Sequence, residues 1–103
     1  MNQYNKVEII VSDIYLDKII EKLDSLGATG YTILTIEGGK GIKKGRQQID
    51  GLLPTTHNSL LFTITSEEIT QTIIAQVQPF LNKVGGLIIV YPITYASGLP
   101  LQK

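Results

Sequence analysis

The chain switches between two hydrophobic periods. Val7-Glu8-Ile9-Ile10-Val11 is dense in β-branched residues and predicts a buried strand. Leu16, Ile19, Ile20, Leu23 and Leu26 then follow the helical repeat and define one apolar face, with Lys18, Glu21, Lys22 and Asp24 opposite. Ser12 or Asp13 is placed to cap that helix, and Gly27 to end it with a left-handed backbone. Tyr31 to Ile36 predicts a second strand, and Ser59 to Thr65 a third, with Leu61 or Leu60 turned to the core. Thr65-Ser66-Glu67-Glu68 has the form of a capping box in which Glu68 reaches back to the cap residue. Ile69, Ile73, Ile74, Val77 and Leu81 supply the buried side of the helix that follows. Pro79 is expected to kink or restart it, because proline lacks the N–H and crowds the preceding turn. Gly85-Gly86 opens a fourth strand, Leu87 to Ile93, and the last ten residues are weakly patterned, with room for a short extra strand.

That order is β-α-β-β-α-β, the ferredoxin-like α+β arrangement: a four-stranded antiparallel sheet with two helices on one face. The other face is left open. Tyr31, Tyr91, Ile33 or Ile89 would populate it, and an apolar face of this kind is ordinarily covered, so a homo-oligomer is expected. Oligomerisation also suits the length of 103 residues, read as a single domain over 1–103. A domain this small buries roughly 60–70% of its unfolded surface and is only modestly stable alone.

Between Glu37 and about Asn58 no period is sustained. Some twenty residues is long for a loop in a compact domain, and such loops are usually functional or disordered. This one, at about 38–58, collects Lys40, Lys43, Lys44 and Arg46 from the nine basic residues, and Gly38, Gly39, Gly41 and Gly45 from the ten glycines. Glycines let backbone N–H groups approach an anion closely, and cations complete its neutralisation. Two readings stand: a phosphate or acidic-partner site, or a solvated loop that is simply basic. Arg46 is the only arginine and offers a bidentate fork.

Composition narrows the function classes. Hydrophobic residues make up 43% and charged residues 17%, which excludes a disordered chain. No run approaches the ~20 apolar residues of a membrane span, and Met1 to Lys6 is polar, unlike a signal peptide. With no cysteine there is no disulfide framework, thiolate nucleophile or cysteine zinc site. The expectation is a cytoplasmic protein. Zero net charge and a pI near 6.5 argue against a nucleic-acid binder; Tyr31 and Tyr91 could stack bases, but their strands carry few cations. His57 is the only histidine and reads as an exposed loop residue, without partners for a metal or for catalysis. Asp13, Asp17, Glu67 and Glu68 sit at helix starts, where capping accounts for them. Ser12 has no base beside it. No metal site and no catalytic constellation emerges, so the chain is not read as an enzyme.

Three segments carry a family likeness. Gly27-Ala28-Thr29-Gly30-Tyr31-Thr32, after Leu26, resembles the G-(A/I)-x-G-(Y/M)-T stretch that leads into the second strand of PII-like signalling proteins. Gly38-Gly39-Lys40-Gly41, with Arg46 downstream, is similar to the start of the long loop in the bicarbonate-transporter-associated branch, SbtB and its carboxysome-linked relatives. Gly85-Gly86 before Leu87-Ile88-Ile89-Val90-Tyr91 resembles that family's glycine turn and last core strand. The likeness spans about residues 5 to 95. It implies a homotrimeric, non-catalytic regulator that binds an adenine nucleotide between subunits and acts on a transporter or enzyme through the long loop. The residues it nominates for the nucleotide are Thr29, Gly30, Tyr31, Thr32, Gly38, Gly39, Lys40, Gly41, Arg46, Gly85 and Gly86. For Gly85-Gly86 a plain helix-to-strand connection competes with a phosphate-facing turn. For Thr29, Gly30 and Thr32 an ordinary strand start competes with an adenine or ribose pocket.

The departures shape what is implied. The nitrogen-regulatory branch carries a lysine in the glycine turn, where this chain has Leu87, and arginines after the last core strand, where this chain runs Pro92-Ile93-Thr94-Tyr95-Ala96-Ser97-Gly98-Leu99-Pro100. The loop has no tyrosine for uridylylation, and the cysteine-paired redox segment of the transporter-associated branch is missing. AMP, ADP or cyclic AMP is therefore expected ahead of ATP, with bicarbonate as a second candidate effector. A trimer resembling CutA, structural or concerned with metal tolerance and without a nucleotide, is the alternative.

Overall fold

The computed structural model describes residues 3–28, 30–36 and 57–98. Four strands, β1 (Tyr4–Ser12), β2 (Thr32–Ile36), β3 (Asn58–Ser66) and β4 (Leu87–Pro92), form one sheet in the order β2-β3-β1-β4. Every pairing is antiparallel. With α1 (Leu16–Ser25) and α2 (Glu67–Val84) the order is β-α-β-β-α-β, the ferredoxin-like α+β fold.

Register decides which side chains are buried. Burial alternates along all of β3 and along β1 as far as Val11, after which Ser12 is buried as well: Val7, Ile9 and Val11 join Leu61 beneath Ile19 and Leu23 of α1 and Ile73, Val77 and Leu81 of α2. Each of these buried aliphatic side chains contributes about 1.5–3 kcal/mol relative to exposure. Leu61, rather than Leu60, is the core residue of β3. Ile74 is only half-buried, and Leu16, Ile20, Leu26 and Ile69 pack at the rim.

The helix ends differ in part from expectation. Neither Ser12 nor Asp13 caps α1; a 3-10 turn, Asp13–Tyr15, leads in, and Asp13 instead accepts a hydrogen bond from the Ser59 hydroxyl. The C-terminus closes as expected, with Gly27 at φ 85°. Ala28 N–H donates to Leu23 C=O and Gly27 N–H to Asp24 C=O, the paired bonds of a Schellman motif. For α2 the cap is Ser66, whose hydroxyl accepts from Ile69 N–H at 3.2 Å. Glu68 therefore sits one position too early to complete a capping box. The helix also runs unbroken through Pro79. Val77 and Leu81 are buried on either side of the proline, and that burial offsets the lost bond.

The second face of the sheet carries Leu34 from β2, Leu60, Phe62 and Ile64 from β3, Lys6, Glu8 and Ile10 from β1, and Leu87, Ile89 and Tyr91 from β4, as the register requires. Leu34 is 52% exposed and Tyr91 44%. Ile89 and Tyr91 lie on this face as expected. Ile33 does not: it pairs with Leu61 and belongs to the helix-bearing side, while Tyr31 lies ahead of β2 and outside the paired register. No helix among the described residues is long and apolar enough to cross a membrane.

Candidate functional site

Of the residues nominated for a nucleotide, Gly30, Tyr31, Thr32, Gly85 and Gly86 fall in the described structure; Thr29, Gly38, Gly39, Lys40, Gly41 and Arg46 lie outside the described residues. Ile36, the last residue of β2, pairs with Asn58, which is the first residue of β3 rather than the end of the loop. Asn58 in turn pairs with Ser12. Leu87 shares a row with Ile10, Leu60 and Leu34, so the Gly85-Gly86 turn sits at that same end of the sheet. Gly30 lies toward the opposite end, ahead of Thr32.

The two halves of the candidate site are separated across the sheet. β2 and β4 are its two edges, with β3 and β1 between them. Three strand spacings put them about 14 Å apart. A single chain therefore does not bring Gly30–Thr32 and Gly85-Gly86 together.

The glycines answer differently when asked why they are glycine. A Cβ on Gly86 would stand 2.6 Å from the Ile10 carbonyl oxygen and 3.2 Å from Leu81 Cδ2, and Gly86 also has φ 129°. Gly85 has φ 91° and donates its N–H to Leu81 C=O at 2.7 Å. Both are required by the turn between α2 and β4. A Cβ on Gly30 would meet nothing within 4 Å, and its φ is not in the left-handed range. Gly30 is exposed, and its carbonyl accepts a hydrogen bond from the buried Thr63 hydroxyl. No steric demand among the described residues explains a glycine there.

Sequence reasoning overlooked a polar cluster beside Asn58. Asp13 N–H donates to His57 C=O at 2.9 Å, and Asp13 Oδ1 takes the Ser59 hydroxyl. This ties the start of β3 to the turn before α1. His57 itself is exposed. Asn58 Oδ1 is buried without a hydrogen-bond partner among the described residues. As an acceptor it suits a hydroxyl or amino donor rather than a phosphate oxygen. The only signal for this cluster in the sequence is the density of Ser, Asp and Asn at two strand ends.

Among the described residues no group of His, Asp and Glu could hold a metal ion. A groove of about 280 Å³ on the helix layer is lined by Lys22, Pro79, Phe80 and Lys83; it contains none of the nominated residues.

CPII of Thiomonas intermedia K12, solved with ADP and bicarbonate, superposes with a TM-score of 0.74 at 27% identity over 88% of this chain and 86% of that one. The same protein bound to ADP, AMP and bicarbonate matches at 26% identity with a TM-score of 0.74 over 88% and 86%. GlnK of B. subtilis in its ATP complex shares the fold, with a TM-score of 0.64 at 20% identity over 89% of this chain and 84% of that one. No curated protein sequence matches the chain significantly. The family model of the nitrogen regulatory protein P-II matches residues 4–99, nearly the whole chain and every element of the sheet, and the chain belongs to that family.

Proposed function

We propose that this chain is a non-catalytic cytoplasmic regulator, a single domain over 1–103, that binds an adenine nucleotide between the subunits of a homotrimer. The observation that carries the reading is the match over 88% of the chain to CPII, a protein solved with ADP and bicarbonate. The geometry supports it. Gly30, free of any steric demand, and the Gly85-Gly86 turn stand on opposite edges of one sheet, so a cleft using both needs two subunits. The apolar second face of the sheet provides the contact for assembly.

AMP, ADP or cyclic AMP fits better than ATP. β4 opens with Leu87, and Arg46 is the only arginine, so no arginine pair follows β4 to neutralise a third phosphate. The basic segment from Lys40 to Arg46 would complete the phosphate site, and Thr29, Tyr31 and Thr32 would border the base or ribose. The nucleotide acts on the partner through the long loop that the sequence places at about 38–58 and that ends ahead of Asn58; the loop docks on or leaves a membrane transporter or an enzyme, a bicarbonate transporter first among them as in the SbtB-like branch. Such coupling requires the effector to bind one arrangement of the loop better than another, since equal affinity shifts nothing. Nucleic acid is not a partner on this reading: among the described residues the second face of the sheet carries only Lys6 as a cation.

Isothermal titration with AMP, ADP, ATP and cyclic AMP, with and without bicarbonate, tests the proposal. One site per chain with ADP or AMP tighter than ATP supports it. No heat at several temperatures would remove the nucleotide and leave the CutA-like structural trimer.

A further inference from the structure

We infer that Lys6 and Glu8 are the partner-choosing pair of the interface between copies of this chain, exchanging ionic hydrogen bonds from one subunit to the next. The inference rests on the homotrimer reading above. Both side chains stand on β1, an interior strand of the second sheet face, among Ile10, Phe62, Ile64 and Ile89. Lys6 Nζ lies 3.1 Å from Glu8 Oε2, and the Tyr91 hydroxyl donates to Glu8 Oε1 at 3.2 Å. The ammonium also sits 4.5 Å from the Phe62 ring centroid and 5.9 Å from that of Tyr91. The Glu8 side chain retains only 13% of its exposure in the isolated chain, and Lys6 retains 34%.

Covering this face desolvates both charges, and each ion then needs hydrogen bonds beyond the pair itself. An ammonium has three donors and a carboxylate about four acceptor sites. The contacts within the chain use one donor of Lys6 and two acceptor sites of Glu8. About two of each remain, so what one copy lacks another copy supplies. About a three-fold axis, a patch bearing both signs lets each copy offer Lys6 to one neighbour and take Glu8 from the other. It is poorly matched to a uniformly acidic or basic partner, for which one of the two charges would always be repelled. The occupant of this face is therefore a second copy.

The test uses charge reversal on the full chain, read by light scattering and native mass spectrometry. Lys6→Glu makes the patch wholly acidic and Glu8→Lys makes it wholly basic. Each variant alone is expected to dissociate at concentrations at least tenfold above those that dissociate the unmodified protein. Mixed one to one, the two are expected to form assemblies containing both chains in clear excess over the statistical proportion. An effect confined to each subunit's internal pair would not be rescued by mixing. Two assemblies as stable as the original, with a statistical mixture, would overturn the inference while leaving the trimer intact. An unmodified protein that is monomeric at all concentrations overturns the trimer reading itself, and this inference with it. Circular dichroism checks folding. Should reversal unfold the chain, Lys6→Met and Glu8→Gln pose the question through dissociation alone, and unchanged dissociation in both counts against the pair.

Discussion

The α-carbon of Gly86 is held so close to Ile10 that a Cβ would stand 2.6 Å from the Ile10 carbonyl oxygen. This contact sets the path of the chain from α2 into β4 and explains Gly86 without a ligand. Gly30 has no such contact.

Gly86→Ala and Gly30→Ala should therefore separate fold from function. Alanine at 86 forces the backbone of β1 or of the turn to move and adds a strained φ, at a cost of about 2 kcal/mol or more. Alanine at 30 should stay within about 0.5 kcal/mol, as at unconstrained surface positions. Urea denaturation checks both. A nucleotide titration of Gly30→Ala then asks whether the site needs the space: a several-fold loss of affinity is expected, and full affinity would take Gly30 out of it.

Arg46→Ala addresses the basic segment. A guanidinium on a phosphate is worth about 1.5–3 kcal/mol as a charge-assisted hydrogen bond, so ADP affinity should fall by about ten-fold or more. Stability should not follow it. Calorimetry that returns the original dissociation constant would leave Arg46 outside the site.

How far the sequence carried depended on how local the determining physics was. Helical spacing in Leu16 to Leu26 and in Ile69 to Leu81 marked both helices, and β-branched density marked β1, because each face meets one continuous core. Pro79 misled because its penalty is local whereas burial of Val77 and Leu81 is not. Asp13 misleads because Ser59, distant in sequence, engages its carboxylate. Ile33 and Ile89 looked alike as apolar strand residues; only register against Leu61 and Glu8 puts them on opposite faces. For the site, Gly30 and Gly86 were indistinguishable until the position of Ile10 was known.

Glu67 confers an acid sensitivity that can be measured. Asn5 Nδ2 donates to one carboxylate oxygen at 2.7 Å and Gln71 Nε2 to the other at 2.8 Å. These bonds, that from Asn5 foremost, hold the Glu67 carboxyl below its ordinary value of 4.5. A lowered value in the folded state means that the unfolded chain takes up the proton first as pH falls. The stabilisation is thus complete above the ordinary value and is lost as pH drops through the lowered one. Glu67→Gln should melt earlier than the unmodified protein at neutral pH, and the two melting temperatures should converge as the pH falls through the lowered value. A constant gap across that range would mean that the carboxylate charge plays no part.

Thr63→Val tests whether the lead-in to β2 must be held in place for binding. The Thr63 side chain is buried, and its hydroxyl donates to the Gly30 carbonyl. Valine keeps the shape and deletes the bond, and because Gly30 is exposed its carbonyl can turn to water, so the stability cost should be about 1 kcal/mol. If Gly30–Thr32 border the nucleotide, releasing this anchor loosens one wall of the cleft. ADP affinity should then fall several-fold, more than the small loss of stability would suggest. Affinity that stays unchanged while melting shifts by a few degrees would make the Thr63–Gly30 bond purely structural and move the base-binding wall elsewhere.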